Sequence, residues 1–215
     1  MNEKIPVNFI ITDSTINDIT VAKNDIEILS NFIYIFDKGY TDFKWWNDIH
    51  KNNSVFITRI KYSSINTLKT IKTLYNINNI NNNINNNINN NKNIINNTNK
   101  QMIYNNLKEG TIITDEIIQF KRNTKGYKAF KNTPLRIITV KRDEEKIIRS
   151  RKKKRDLKNN DNNNDKNNNN KNNKKINDNI DLFLITNDLT KTPEEIAYLY
   201  KCRWQIEICK NLSYK

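Results

Sequence analysis

The sequence is poor in glycine, proline, cysteine and histidine. Its 215 residues include three Gly, three Pro, two Cys and one His. So little Gly and Pro excludes a collagen-like or elastic chain. The three glycines are isolated, so there is no Walker A or GxGxxG loop to cradle a phosphate. Nucleotide-dependent and nicotinamide chemistry are therefore not expected. A single histidine, His50, leaves no HExxH zinc site. Cys202 and Cys209 sit seven apart and have no partners for a Cys₄ or Cys₂His₂ centre. They form no disulfide framework, so an intracellular, reducing compartment is the expectation. Apolar residues make up 36% of the chain, below the roughly 45–50% usual for globular domains. No stretch approaches the roughly 18 apolar residues of a membrane span. The N-terminus, Met1 to Lys4 and the short mixed run after it, lacks the apolar core of a signal peptide. No membrane partner is expected.

Asparagine fills the deficit, at about a fifth of the chain. It concentrates in two tracts, 76–101 with an Ile at every fourth position (Ile80, Ile84, Ile88) and 150–180 with Lys and Asp. Neither tract has enough apolar mass to offset chain entropy. Asn is also a poor helix former, so the Ile stripe is a weak helix signal. Both are expected to be disordered insertions in surface loops, where closure entropy grows slowly with length. They divide the chain into ordered segments 1–75, 102–149 and 181–215.

The formal charge is +14, with a pI near 9.6. Residues 151–175 hold ten Lys/Arg and three Asp, which is 10 − 3 = +7, half of the total. Such a basic balance suits a nucleic-acid partner. A solvated surface in an Asn- and Lys-rich protein is the competing explanation. The run Arg151 to Arg155 reads either as a nuclear-import patch or as a basic linker.

Within the first segment, Ile5–Ile11 reads as a strand and Val21–Leu29 as a helix. Phe32–Phe36 (FIYIF) has the continuous apolar character of a buried strand. Thr41–Asn52 reads as a helix with Phe43, Trp46 and Ile49 on one face, and Ser54–Ile60 as a further strand. The middle segment is strand-rich, with Gly110–Ile118 and Leu135–Val140. Leu182–Thr186 is a strand. The last helix is the best marked. Thr192 is its N-cap, Pro193 its first residue, and Glu195 completes a capping box. It is expected to run from Pro193 to at least Leu212.

Three places could carry chemistry. Asp37 stands at the carboxyl end of a strand, where open α/β sheets hold ligands and metals; a turn carboxylate bonding its own loop is the simpler alternative. Tyr200, Arg203 and Glu207 share one side of the last helix through spacings of three and four, while Trp204, Ile208 and Leu212 form a stripe for the core. A Glu beside an Arg on a helix is also a common surface ion pair. His50, next to Lys51 and Asn52, reads as a solvated residue near a helix C-terminus.

Taken together, these pieces resemble one family. Tyr34-Ile-Phe-Asp37-Lys-Gly-Tyr40-Thr-Asp-Phe43, followed by Val55-Phe-Ile-Thr-Arg59-Ile-Lys61, looks like the block around the second catalytic Asp of IS4-type DDE transposases. Phe183-Leu-Ile-Thr-Asn187, with Ile196-Ala-x-Leu-Tyr200-Lys-Cys-Arg203-Trp-Gln-Ile-Glu207, looks like the block around their catalytic Glu. The second block carries the family's Tyr-x₂-Arg-x₃-Glu signature. Ile5-Pro-Val to Asp18, Asp115-Glu-Ile-Ile and Pro134-Leu-Arg136 fit the intervening regions.

The resemblance implies an α/β fold, an RNase H-like core with a β-rich insertion, here interrupted by the Asn-rich tracts. It implies phosphoryl transfer on double-stranded DNA at transposon ends, and leaves a homodimer open. Two divalent ions, Mg²⁺ or Mn²⁺, would activate the attacking water or 3′-hydroxyl and stabilise the leaving oxygen. Asp37 and Glu207 would be the second and third acidic metal ligands, because Mg²⁺ prefers oxygen donors. Tyr200, Arg203 and Lys215 would contact DNA, Arg203 through its charged fork.

Two features depart from the family pattern. The strand with the first catalytic Asp lies upstream of the segment matching 5–18; Asp13 and Asp18 align with the loop after it. The family Lys, seven residues beyond the Glu, is replaced by Tyr214, with Lys215 one further on and Lys210 earlier. The expectation is a transposase catalytic-domain fragment that is inactive alone. A non-catalytic DNA-binding protein derived from a transposase is the alternative, and a disordered Asn-rich interaction protein a third. A eukaryotic host would point to the nucleus, a bacterial one to the cytoplasm.

Overall fold

The computed structural model describes residues 15–77, 107–142 and 181–203. The expected strand Ile5–Ile11, Asp13, nearly all of both Asn-rich tracts, and Trp204 to Lys215, including Glu207 and Lys215, lie outside the described residues.

The first helix, α1, spans Asp18–Asp25, and Asn17 caps it by accepting from the Ile19 N–H at 3.3 Å. It starts before, and ends short of, the Val21–Leu29 helix expected from the sequence. The cap at Asn17 fixes its start, and Ile26 already has extended backbone. Strand β1 is Ile33–Phe36, and a 3₁₀ turn follows at Lys38–Tyr40. Helix α2 spans Phe43–Lys51. Its N-cap Asp42 accepts from the Trp45 N–H at 2.9 Å and from Lys23 Nζ at 2.8 Å, which ties α1 to α2. Strand β2 is Val55–Arg59, the short helix α3 is Tyr62–Ile65, and β3 is Leu68–Asn76. After the first tract come β4 (Ile112–Phe120), α4 (Lys125–Phe130) and β5 (Leu135–Val140). β6 (Leu182–Thr186) and α5 (Pro193–Cys202) close the described chain.

The strands form one six-stranded sheet in the order β1-β2-β6-β5-β4-β3. β1 and β2 are parallel, and the remaining neighbours are antiparallel. The strands of the 102–149 segment are thus continuous with those of the two flanking segments, through the β5–β6 pairing. Side chains alternate between the two faces, as the pleat requires. Phe56, Leu135, Ile137, Phe183 and Ile185 face a core with Trp45, Trp46 and Ile49 of α2 and Phe130 of α4. Ile57, Ile138, Val140 and Leu184 face the other way, toward Ile196 and Tyr200 of α5. Both faces of the central strands are therefore covered, which explains their continuous apolar sequences.

α2 shows how the apolar spacing becomes packing. Trp45, Trp46 and Ile49 are buried along one stripe. Trp46 stacks on Phe56 at 5.2 Å and donates its indole N–H to the Tyr40 carbonyl at 3.0 Å. β1 differs from the buried strand its composition suggests. Phe32 and Ile33 are exposed and Phe36 is buried. β1 has one paired neighbour, β2, among the described residues.

Candidate active site

The parallel register of β1 and β2 builds the site. Phe36 pairs with Thr58, and the Thr58 hydroxyl donates to the Phe36 carbonyl at 2.9 Å. The next residues along each strand, Asp37 and Arg59, therefore lie side by side at the strand ends. Arg59 Nε donates to Asp37 Oδ1 at 2.9 Å and Nη2 reaches Oδ2 at 3.4 Å. The Lys38 N–H also donates to Oδ1, at 2.5 Å. Both carboxylate oxygens are thus engaged. The pair is partly open to solvent, with the Asp37 side chain 35% and the Arg59 side chain 24% exposed. Burial alone would raise the Asp37 pKa. The Arg59 fork, the Lys38 N–H and the field of Arg203 outweigh it and hold the carboxyl below its ordinary value.

α5 brings the second group of residues. Thr192 and Glu195 form the capping box expected from the sequence, with the Glu195 N–H donating to Thr192 Oγ1 at 3.2 Å and the Thr192 N–H to Glu195 Oε2 at 2.8 Å. Pro193 occupies the first turn, where a missing N–H is harmless. Ile196 and Tyr200, four apart, press against the sheet and are buried. The Arg203 guanidinium lies over the Tyr200 ring, 5.6 Å from its centroid. Burial raises the Tyr200 pKa, while Arg59 and Arg203 pull it down and Asp37 adds to the rise. Asp37, Arg59, Tyr200 and Arg203 therefore form one electrostatically connected cluster. The sequence singled out three of these four. Arg59 stood in the matching block without an assigned role. The signal that could have found it is the register of two adjacent parallel strands.

The loop before α5 is fixed by polar side chains. The Asp188 carboxylate, with its side chain 2% exposed, accepts from the Thr190 N–H and hydroxyl at 2.8 Å each. It also accepts from the Lys191 N–H at 3.0 Å and from Lys191 Nζ at 2.9 Å. Arg136 donates to the Lys191 carbonyl at 2.5 Å. Asn187 imitates a strand backbone: its Oδ1 accepts from the Phe56 N–H at 2.8 Å and its Nδ2 donates to the Ser54 carbonyl at 2.9 Å. The same Nδ2 lies 3.1 Å from His50 Nδ1, and the imidazole is 6.4 Å from the Phe130 ring. His50, in the last turn of α2, is accordingly half-buried against Asn187 and Phe130, where the sequence had suggested a solvated helix end.

A sequence model of the family described as "Transposase DDE domain" matches residues 1–212. The chain belongs to this family. A stretch of 51 residues is 43% identical to a protein of Sinorhizobium fredii (strain NBRC 101917 / NGR234) named "Putative transposase y4zB"; it covers 24% of this chain and 14% of that relative. No solved structure matches the chain. The mixed α/β architecture agrees with a DDE transposase domain.

DDE transposases typically use a divalent metal, and the donor chemistry at Asp37 suits a hard cation, since a carboxylate at a strand end supplies oxygen ligands. Among the described residues no group of three or more His, Cys, Asp or Glu could hold a metal. Glu207, the acidic residue expected beside Asp37, lies outside the described residues. Among the described residues no helix is long and apolar enough to cross a membrane.

Proposed function

We propose that the chain is the catalytic part of an IS4-type DDE transposase, with an RNase H-like core, acting in phosphoryl transfer on double-stranded DNA. The observation that carries this reading is the convergence of Asp37, at the end of β1, with Tyr200 and Arg203 of α5. Asp37 lies more than 160 positions before Tyr200 and Arg203 in the sequence, and the blocks that hold them resemble the same family.

Asp37 and Glu207 would hold Mg²⁺ or Mn²⁺. Glu207 follows Arg203 by four residues, the spacing of the family's Tyr-x₂-Arg-x₃-Glu signature. The cation would supply charge stabilisation to the attacking and leaving oxygens of an in-line displacement. The chain's own side chains supply the rest. Arg203 offers a planar fork to a phosphodiester. Tyr200 packs under that fork and sets its height over the site. Lys215 adds a further positive charge toward the DNA. Two of the family's three carboxylates are assigned in these 215 residues, so this chain alone is expected to bind metal weakly and not to cleave. A homodimer, and an intracellular setting where DNA is accessible, are part of this reading.

The alternative, a non-catalytic DNA-binding protein derived from a transposase, rests on the net charge of +14. Binding to duplex DNA, measured across salt with and without Mn²⁺, separates the two. Both readings predict affinity that falls with salt. The transposase reading predicts that Mn²⁺ strengthens binding to the native chain and does nothing for Asp37→Asn or Glu207→Gln. An equal response in all three forms would favour the alternative.

A further inference from the structure

We propose that the connection between β4 and β5, residues 121–131, is a second DNA-contact surface, one that takes the phosphate backbone of a duplex. It lies across the sheet from α5. The inference rests on the reading of duplex DNA as the partner and is independent of the cation site at Asp37.

The charge is the first observation. Lys121, Arg122, Lys125, Lys128 and Lys131 are all exposed. No acidic residue occurs from Ile117 to Arg142. Elsewhere the chain pairs its cations: Lys23 with Asp42, Arg59 with Asp37 and Lys191 with Asp188, each at 2.8–2.9 Å. Among the described residues none of these five makes an ion pair.

The frame is the second. The Thr124 hydroxyl donates to the Lys121 carbonyl at 2.7 Å and accepts from the Tyr127 N–H at 3.1 Å, which fixes the turn into α4. Phe130 is buried and stacks on Phe120, 6.1 Å away. The Gln119 amide donates to the Asn132 carbonyl at 2.7 Å and closes the far end. The backbone under the five charges is therefore already ordered, which lowers the cost of binding.

Lys131 is the third. Its backbone has φ 47° and ψ −114°, a left-handed conformation that favours glycine. Strain of this kind is concentrated at sites of function. The exposed side chain returns no ion pair for it, and adds one more positive charge three residues after Lys128.

The chemistry selects phosphates. Four of the five cations are Lys, a point charge without the fork that reads a guanine edge. A duplex carries one negative charge per roughly 1.7 Å of axis. The six residues of α4 span about 9 Å at helical rise, so several phosphates fall within reach. α4 covers the Trp46 and Phe56 side of the sheet and α5 the other. This surface and the Asp37 site therefore engage separate stretches of DNA.

The test is binding of the full chain to a duplex of arbitrary sequence in EDTA, titrated with salt. EDTA keeps the cation site out of the result. The triple variant Lys125→Gln, Lys128→Gln, Lys131→Gln is expected to flatten the slope of log affinity against log salt by about 2–3, the share of three phosphate contacts. The charge-matched triple variant Lys152→Gln, Lys153→Gln, Lys154→Gln should change it by less than about 1. Lys131→Gly alone should flatten it by about 1 while raising the thermal midpoint, which separates lost binding from lost folding. In the native chain, duplex should slow acetylation of Lys125, Lys128 and Lys131.

Equal flattening in the two triple variants would mean that net charge alone sets binding, and would overturn the proposal. So would acetylation of Lys125, Lys128 and Lys131 that saturating duplex leaves unchanged. A loss confined to RNA duplex would assign the surface to RNA instead. If the native chain shows no salt-sensitive binding in EDTA, the DNA reading itself fails and takes this surface with it. If the patch variants behave as expected while Mn²⁺ has no effect through Asp37, the surface stands and only the cation site falls.

Discussion

Arg136 on β5 and Asp115 on β4 form a buried, two-pronged ion pair. Nε and Nη2 of Arg136 meet the two Asp115 oxygens at 2.7 and 2.6 Å, and both residues are 3% exposed. The register pairs Asp115 with Ile138, so Arg136 lies two residues along the neighbouring strand, on the same face. Its remaining amino group holds the Lys191 carbonyl. One guanidinium therefore joins β4, β5 and the loop that starts α5, the helix carrying Tyr200 and Arg203.

Breaking this pair from one side strands a buried charge. Asp115→Ala should cost about 3–5 kcal/mol, read as a lower denaturation midpoint. Replacing both partners with apolar residues of similar volume should recover most of that loss. A single substitution with little effect would mean that the pair is more hydrated than its burial indicates.

Acid should loosen the same loop. Burial opposes ionisation of Asp188, but the bonds from the Lys191 backbone and side chain and from Thr190 prevail and hold its carboxyl far below the usual range. A depressed folded pKa means that this stabilisation is fully present above the unfolded value of about 3.9 and is lost as pH falls below it. Asp188→Asn should therefore be less stable at neutral pH, by roughly 1–3 kcal/mol. Its stability should also fall less steeply than the native chain's as pH drops below about 4. Parallel pH–stability curves for the two forms would contradict this.

Gly126→Ala distinguishes packing from propensity. Alanine is the better helix former by about 1 kcal/mol, and Gly126 is inside α4. Yet an added Cβ would fall 2.3–2.4 Å from the Phe120 ring. That ring is buried and meets Phe43 at 4.9 Å and Phe130 at 6.1 Å, so it has little room to move. The expected result is a loss of about 1–3 kcal/mol through overpacking. A gain in thermal midpoint would show that Phe120 yields.

Much of this architecture was legible in the sequence wherever local and tertiary demands agree. Leu135–Val140 and Leu182–Thr186 are covered on both faces, so their mainly apolar sequences mark the strand bounds to the residue. The Thr192–Glu195 capping box marks the start of α5 for the same reason: its hydrogen bonds are local. β3 was missed because it is an edge strand, exposed along most of Lys69–Leu74. No buried face imposes an alternation on it, and Ile71 and Leu74 remain exposed among lysines and threonines. α4 has six residues, too few to show a period. At the site, Asp37, Tyr200 and Arg203 stood out through the resemblance to the family blocks, since position and spacing alone left a turn carboxylate and a surface ion pair as the simpler readings. Arg59 and the buried Arg136–Asp115 pair depend on strand register, which spacing along one chain does not reveal.

The central claim is that Asp37 and Glu207 make one cation site. Mn²⁺ titration of the native chain, Asp37→Asn, Glu207→Gln and the double variant tests it directly. Two ligands of one site are not independent, so each single substitution should weaken binding at least about tenfold, and the double variant little further. Unchanged Mn²⁺ affinity in both single variants, with salt-sensitive DNA binding retained, would contradict the account and leave a protein that holds DNA without metal chemistry at Asp37.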